Sequence, residues 1–335
     1  PISFACEIFC SVVDNLGDAG VCWRLARQLA GEHGWKVRLW IDDLHPLSKL
    51  HPGIVPGLER QQADGVEVRR WSKTFAGATP AQVVIEAFAC DLPPRFIEAM
   101  AARPKPPLWI NLEYLSAEHW VRGCHGLPSP QPPVRKYFFF PGFVPGTGGL
   151  LREAALRPLP PRPPGNELRV SLFCYDNPAL PPLLRTWAEG GSRLHCQVAD
   201  GFARHAVESW LGEPFPVGSR CQRQALTLEA MAFLPQADYD GWLGGCDLNF
   251  VRGEDSFVRA QWAERAFVWQ AYGQADSAHL VKLDAFLGLY CRDLPPAAAA
   301  AVRAFWHAWN GNGDIAATWP AFVAQLPVLE RHAAP

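Results

Sequence analysis

FACEIFCSVVDNLGDAGVCWRLARQLAGEHGWKVRLWI, residues 4–41, reads as strand, turn, helix and strand. Phe4 to Val13 is an apolar run of strand character. From Asp18 to His33, Val21, Leu25 and Leu29 recur at a spacing that lines one face of a helix. Gly34 supplies a stop, and 36–41 follows as a short strand. Strands joined through helices build a parallel sheet with helices on both faces.

The alternation continues outward from this stretch. Segments 66–71, 82–86 and 108–111 read as further strands. Residues 141–166 are crowded with Pro and Gly (PGFVPGTGG, then RPLPPRPPGN) and mark a domain boundary. The pattern then restarts. Strands are expected at 168–173, 194–198, 246–251 and 267–270, and helices at 180–189, 201–211 and 256–264. The C-terminal part is helical around 280–290, 297–309 and 315–326. The expected layout is two Rossmann-like domains, 1–160 and 161–320, with 321–335 as a helix or tail packing back on the first. A chain of 335 residues suits two domains at about 100–200 residues each. No sequence repeat accompanies the repeated α/β pattern.

Composition narrows the function. The net charge is -2 and 19% of residues are charged, without the basic excess of a duplex-binding protein. No apolar run reaches the length of a bilayer span, and no basic-then-apolar leader opens the chain, so a cytoplasmic setting is expected. Ten cysteines are scattered from 6 to 291 with no Cys-x-x-Cys pair. They read as buried, reduced thiols rather than as a zinc site or a disulfide framework.

Two loops can carry chemistry. VVDNLGDAG (12–20) follows the first strand, where open α/β sheets bind ligands. It has Gly17 and Gly20 but lacks the Gly-x-Gly-x-x-Gly fingerprint, and Asp14 and Asp18 put negative charge where a pyrophosphate would lie. This argues against a nucleotide-cofactor oxidoreductase and suits a cation or a proton acceptor. Asp18 as a plain helix cap remains the alternative. The second loop lies in CDLNFVRGEDSFVRAQW (246–262), where Arg252, Gly253 and Ser256 with helix-start amides can hold a diphosphate. Glu254 and Asp255 can contact sugar hydroxyls or support a base, and a capping turn with surface ion pairs is again the alternative. Phe173, Tyr175, Phe233, Gln236 and Tyr272 supply rings and an amide of the kind a nucleobase needs. With fourteen tryptophans, most aromatics must nevertheless be core. Asp238-Tyr-Asp240 looks like a metal-diphosphate motif but is read as capping a helix, and Asp42-Asp43 is discounted as a ribose ligand.

FCSVVDNLGDAGVCWRLARQLA, VRLWIDDL and CDLNFVRGEDSFVRAQWAERAFVWQAYGQADSAHLVKLDAFL, with FCYDNPAL and MAFLPQADYD between them, resemble the protein-arginine rhamnosyltransferases that modify bacterial elongation factor P. The resemblance implies the GT-B architecture of two facing Rossmann-like domains with a cleft between them. It implies an inverting transfer from dTDP-β-L-rhamnose to an arginine of elongation factor P, with no cofactor and no metal. The first domain would bind the acceptor and the second the donor. Asp14, Asp18 and Glu254 would be the catalytic carboxylates. Asn15, Gly17, Phe173, Tyr175, Phe233, Gln236, Arg252, Gly253, Asp255, Ser256 and Tyr272 would bind the nucleotide sugar. An elongation-factor-binding module without activity is the reading outside enzymes.

Overall fold

The computed structural model describes residues 4–14, 16–72, 74, 78–129, 134–154, 156, 166–273 and 276–334. The chain divides into two compact units, Pro1–Leu156 and Arg157–Pro335. In the first, β1 (Ala5–Cys10) leads through α1 (Gly17–Gly31) to β2 (Lys36–Ile41). Then come α2 (Leu44–Leu50), β3 (Arg60–Ala63), β4 (Val66–Arg70), β5 (Val83–Ala87), α3 (Pro94–Ala101), β6 (Leu108–Leu112), α4 (Val121–Cys124) and β7 (Lys136–Phe139). The seven strands run in the order β3-β4-β2-β1-β5-β6-β7, parallel except for the β3–β4 hairpin.

The second unit repeats the plan. It contains β8 (Leu168–Leu172), α5 (Leu180–Glu189), β9 (Leu194–Val198), α6 (Phe202–Leu211), β10 (Arg220–Arg223) and β11 (Leu226–Ala230). After these come α7 (Gln236–Gly244), β12 (Leu248–Arg252), α8 (Asp255–Trp262) and β13 (Ala266–Gln270). Four helices end the chain: α9 (Ala278–Tyr290), α10 (Pro296–Trp309), α11 (Ile315–Val323) and α12 (Leu326–Ala333). Its sheet order is β10-β11-β9-β8-β12-β13, again with one antiparallel hairpin, β10–β11. The single helix read over 315–326 is in fact two. Pro327 sits at the start of α12, which packs against β13 and sets His332 Nε2 2.9 Å from the Tyr290 carbonyl.

Strands covered on both faces must be apolar throughout. β5, β12 and β13 are buried at every residue. Nine of the fourteen tryptophans are buried, so the rings are indeed mostly core. Phe9, Trp40, Trp71, Phe96 and Trp109 fill the first unit. Trp187, Phe250, Phe305, Trp309 and Phe322 form a ring chain in the second. Burial pushes the Cys6, Cys174 and Cys246 thiols up to about 12, which leaves them protonated and unreactive at neutral pH. Among the described residues no helix is long and apolar enough to cross a membrane.

Two buried carboxylates of the first unit are paired, as their desolvation demands. Glu7 on β1 accepts from Arg38, the Trp40 indole and the Ala81 peptide. Glu86 on β5 accepts from Trp109, Lys136 and the Asp91 peptide. The Asp238-Tyr-Asp240 motif corrects its reading as a cap. Pro235 holds the N-cap position of α7, and no side chain caps that helix. Asp240 instead forks onto the buried Arg259 of α8, at 2.8 and 2.5 Å, and ties the two helices together. Asp240→Ala removes the carboxylate onto which the buried Arg259 guanidinium is forked. With Asp240 itself 30% exposed, the loss is expected near the low end for a broken buried pair, about 2–3 kcal/mol. A calorimetric melt should show the second unit losing about 5 °C or more; an unchanged melt would mean that this pair does not hold α7 to α8.

Candidate functional site

In both sheets the chain reverses its direction of winding beside the first strand. β1 lies between β2 and β5, and β8 between β9 and β12. Such switch points leave a crevice outside the carboxyl ends of the strands. The two loops singled out by sequence open there, one in each unit.

In the first unit, the loop after β1 is held by carboxylates. Asp42, just past β2, accepts the Val12 N–H at 2.9 Å and the Ser11 hydroxyl at 2.5 Å. Asp18 Oδ2 accepts the N–H groups of Val13 and Asp14, each at 2.9 Å. The Asp14 carbonyl takes the Gly17 N–H. Amides that would cradle a pyrophosphate in a dinucleotide domain are thus filled by the protein's own anions, which removes the oxidoreductase reading. Asp18 is also no helix cap, because Leu16 holds the N-cap of α1 without any side-chain bond. Its side chain points back into the loop from the first helical turn and is 1% exposed. Asp43 proves to be the N-cap of α2, accepting the His45 N–H. Asp14 is half-buried beside Gly17, whose missing side chain makes its room: a Cβ there would lie 2.5 Å from Asp14 Oδ2. Asn15 lies outside the described residues.

The sequence reading did not find Tyr114, which follows β6. Its hydroxyl donates to Asp18 Oδ1 at 3.2 Å, and its ring stacks on Phe88 with centroids 4.3 Å apart. No local motif marks either residue, since strand order alone brings the ends of β5 and β6 beside β1.

In the second unit, Arg252 ends β12 with its side chain buried against rings. Its guanidinium carbon lies 4.5 Å from the Phe173 centroid, 4.3 Å from Tyr175 and 5.6 Å from Phe202. Among the described residues no carboxylate pairs with it, so the cation stands at the switch point against ring faces. Gly253 takes a left-handed φ of 61° to turn the chain into α8. The first-turn amides of α8 have no partners within the helix. The Ser256 hydroxyl is already committed to the turn, accepting the Arg252 N–H and donating to the Arg252 carbonyl. Glu254 occupies the N-cap of α8 without a side-chain cap bond. Asp255 accepts from the buried Gln236 at 3.0 Å, joining the start of α7 to this turn. Tyr272 stands edge-on to Tyr175, with centroids 5.4 Å apart, and is largely exposed. Phe233 is half-buried in the loop after β11. The first unit therefore presents fixed anions and the second a fixed cation.

The model of the elongation factor P (EF-P) rhamnosyltransferase family EarP matches residues 6–162 and 156–335. This chain belongs to the EarP family. Relatives include protein-arginine rhamnosyltransferases of Pseudomonas putida, 48% identical over 98% of this chain and 92% of that one, and of Neisseria meningitidis, 38% identical over 94% and 86%. A solved structure describing EarP-mediated arginine glycosylation of EF-P is 33% identical, covers 99% of this chain and 92% of its own, and superposes with a TM-score of 0.66. MurG of Acinetobacter baumannii, 12% identical over 99% of this chain and 95% of its own, shares the fold at a TM-score of 0.51. An EarP-family chain with two Rossmann-like sheets is a glycosyltransferase of the GT-B class.

Gly17→Ala separates stability from function. Alanine is the better helix former by up to about 1 kcal/mol, so the melting temperature should hold or rise. The new methyl group collides with Asp14, and rhamnosyl transfer should fall by at least about tenfold, the effect of a misplacement near 1 Å. Unaltered transfer by the variant would show that the position of Asp14 does not matter.

Proposed function

We propose that this chain transfers rhamnose from dTDP-β-L-rhamnose to one arginine side chain of EF-P, with inversion at the anomeric carbon. The observation that carries the reading is the buried Asp18 carboxylate, fixed by two peptide N–H groups on Oδ2. A guanidinium keeps its proton to above about pH 12 and is then no nucleophile. A carboxylate that pairs with it and takes a proton as the bond forms removes that obstacle. Asp18 is the base, and Asp14 and Glu254 position the guanidinium. As the guanidinium nitrogen bonds to the anomeric carbon, its proton passes to Asp18. The bond from that carbon to the diphosphate oxygen breaks, and its electron pair leaves with dTDP.

The first unit holds the acceptor and the second the donor. Arg252 and the first-turn amides of α8 neutralise the charge gathering on the diphosphate. Phe173, Tyr175, Phe233 and Tyr272 offer ring faces, and Gln236 an amide, for the nucleotide. Asn15, Gly17, Gly253, Asp255 and Ser256 complete the set of residues that bind the nucleotide sugar. Arginine and helix amides supply the positive charge that other transferases draw from a metal, so no metal is required.

Intact mass of EF-P after incubation with this protein and dTDP-rhamnose tests the reading. A gain of one deoxyhexose is expected, undiminished by EDTA. Asp18→Asn should abolish the gain, by about a hundredfold or more in kcat, while dTDP binding survives. Arg252→Ala should lower kcat or donor affinity by about a hundredfold. An unmodified EF-P would leave a binding module without activity, and a gain that needs magnesium or manganese would overturn the metal-free transfer.

A further inference from the structure

We infer that Tyr114, seated on Phe88, selects the acceptor side chain: its ring is the face on which the guanidinium lies, and its hydroxyl holds the proton-accepting oxygen of Asp18. The inference rests on the transfer proposed above and adds two residues to it. Oδ2 of Asp18 is filled by two peptide donors, so Oδ1 is the oxygen left to meet a substrate proton. Among the described residues its one bond is to the Tyr114 hydroxyl, at 3.2 Å. That contact is about 0.4 Å longer than a common O–H···O bond, and it can shorten as charge develops at Oδ1. A group paired with Oδ1 therefore lies beside the Tyr114 ring, which is 37% exposed. A planar guanidinium there gains a carboxylate at its edge and a ring against its face, while an ammonium, lacking a flat face, gains only the first.

The backbone beneath is built to hold this ring pair. Phe88, Ala89 and Asp91 all take left-handed φ values, 55°, 51° and 59°, though none is glycine. Conformations of this kind persist only where surrounding bonds impose them, and they gather at functional sites. Here the Phe88 N–H donates to the Leu112 carbonyl at 2.7 Å, and the Asp91 N–H to the buried Glu86. Phe88 is thereby fixed under Tyr114, parallel to within 14°.

Steady-state kinetics of Tyr114→Phe and Tyr114→Leu, with EF-P varied at saturating dTDP-rhamnose and the reverse, test the inference. Tyr114→Phe keeps the ring and loses the hydroxyl, so kcat should fall about tenfold with the KM for EF-P nearly unchanged. Tyr114→Leu loses both, and the KM for EF-P should also rise about tenfold, with the KM for donor unmoved. Replacing the target arginine of EF-P with lysine should abolish transfer by the wild type. A Leu variant with wild-type KM for EF-P, a Phe variant with wild-type kcat, or a lysine acceptor used as well as arginine would overturn the assignment while leaving the transferase reading intact. A wild-type protein that fails to modify EF-P would sink that reading itself. The Phe variant keeps the stacked pair, so a folding defect in the Leu variant alone would not mask the kcat result.

Discussion

The first-unit site depends on one substitution of charge: carboxylates occupy the amides where a Rossmann loop would hold a phosphate. A strand-to-helix turn gathers peptide N–H groups that point outward beside the positive end of a helix dipole. Left open, such a turn takes an anion from solution. Here Asp42 and Asp18 fill it from within the chain. This fixes the path of the loop and leaves Oδ1 of Asp18 facing Tyr114. Gly17 follows from the same arrangement, since any side chain there would displace Asp14. A turn that binds anions has become one that presents them.

The second unit meets the opposite demand with the same topology. Its switch point holds the buried Arg252 against three rings instead of against a carboxylate. A carboxylate partner would neutralise the guanidinium and repel a diphosphate. Aromatic faces offset part of the desolvation cost and leave the charge available. Asp255, the acid nearest in sequence to the helix start, is engaged by Gln236. Carboxylates that looked misplaced in Arg252-Gly-Glu-Asp-Ser256 thus coexist with a buried cation because the cation and at least one acid have separate partners.

Much of this was legible in the sequence, for physical reasons that differ by element. The central strands are apolar runs, and α1 carries Val21, Leu25 and Leu29 on one face, so their places could be read directly. The β3–β4 hairpin left a signal that went unread: Asp64-Gly65, both with positive φ, is the two-residue turn that matches strand twist. Its counterpart β10–β11 turns at Gln224 and Ala225 with no glycine, and its polar edge strand Arg220–Arg223 lacks any apolar pattern. Local sequence named Asp18 but left a helix cap and a proton acceptor open, because both call for Asp at a helix start. Excluding the cap took the atoms it bonds. Tyr114 and Phe88 were beyond reach, since their neighbourhood is made by strand order across some 70 to 100 residues of chain.

Duplication of one topology with opposite charge suits a reaction whose two substrates differ in sign. The acceptor guanidinium is a cation and the departing nucleotide an anion, so a single loop chemistry would repel one of them. Both loops open at carboxyl ends of parallel strands, where backbone geometry alone favours anions. The second loop retains that preference and adds Arg252 to it. The first loop reverses it with two carboxylates from different elements, one after β2 and one on α1. The first loop is thus bound closely into its own fold, while among the described residues no carboxylate pairs with the cation of the second. In the first unit the side chain that holds the loop also turns its second oxygen outward, so removing the Asp18 side chain would loosen the turn that presents it.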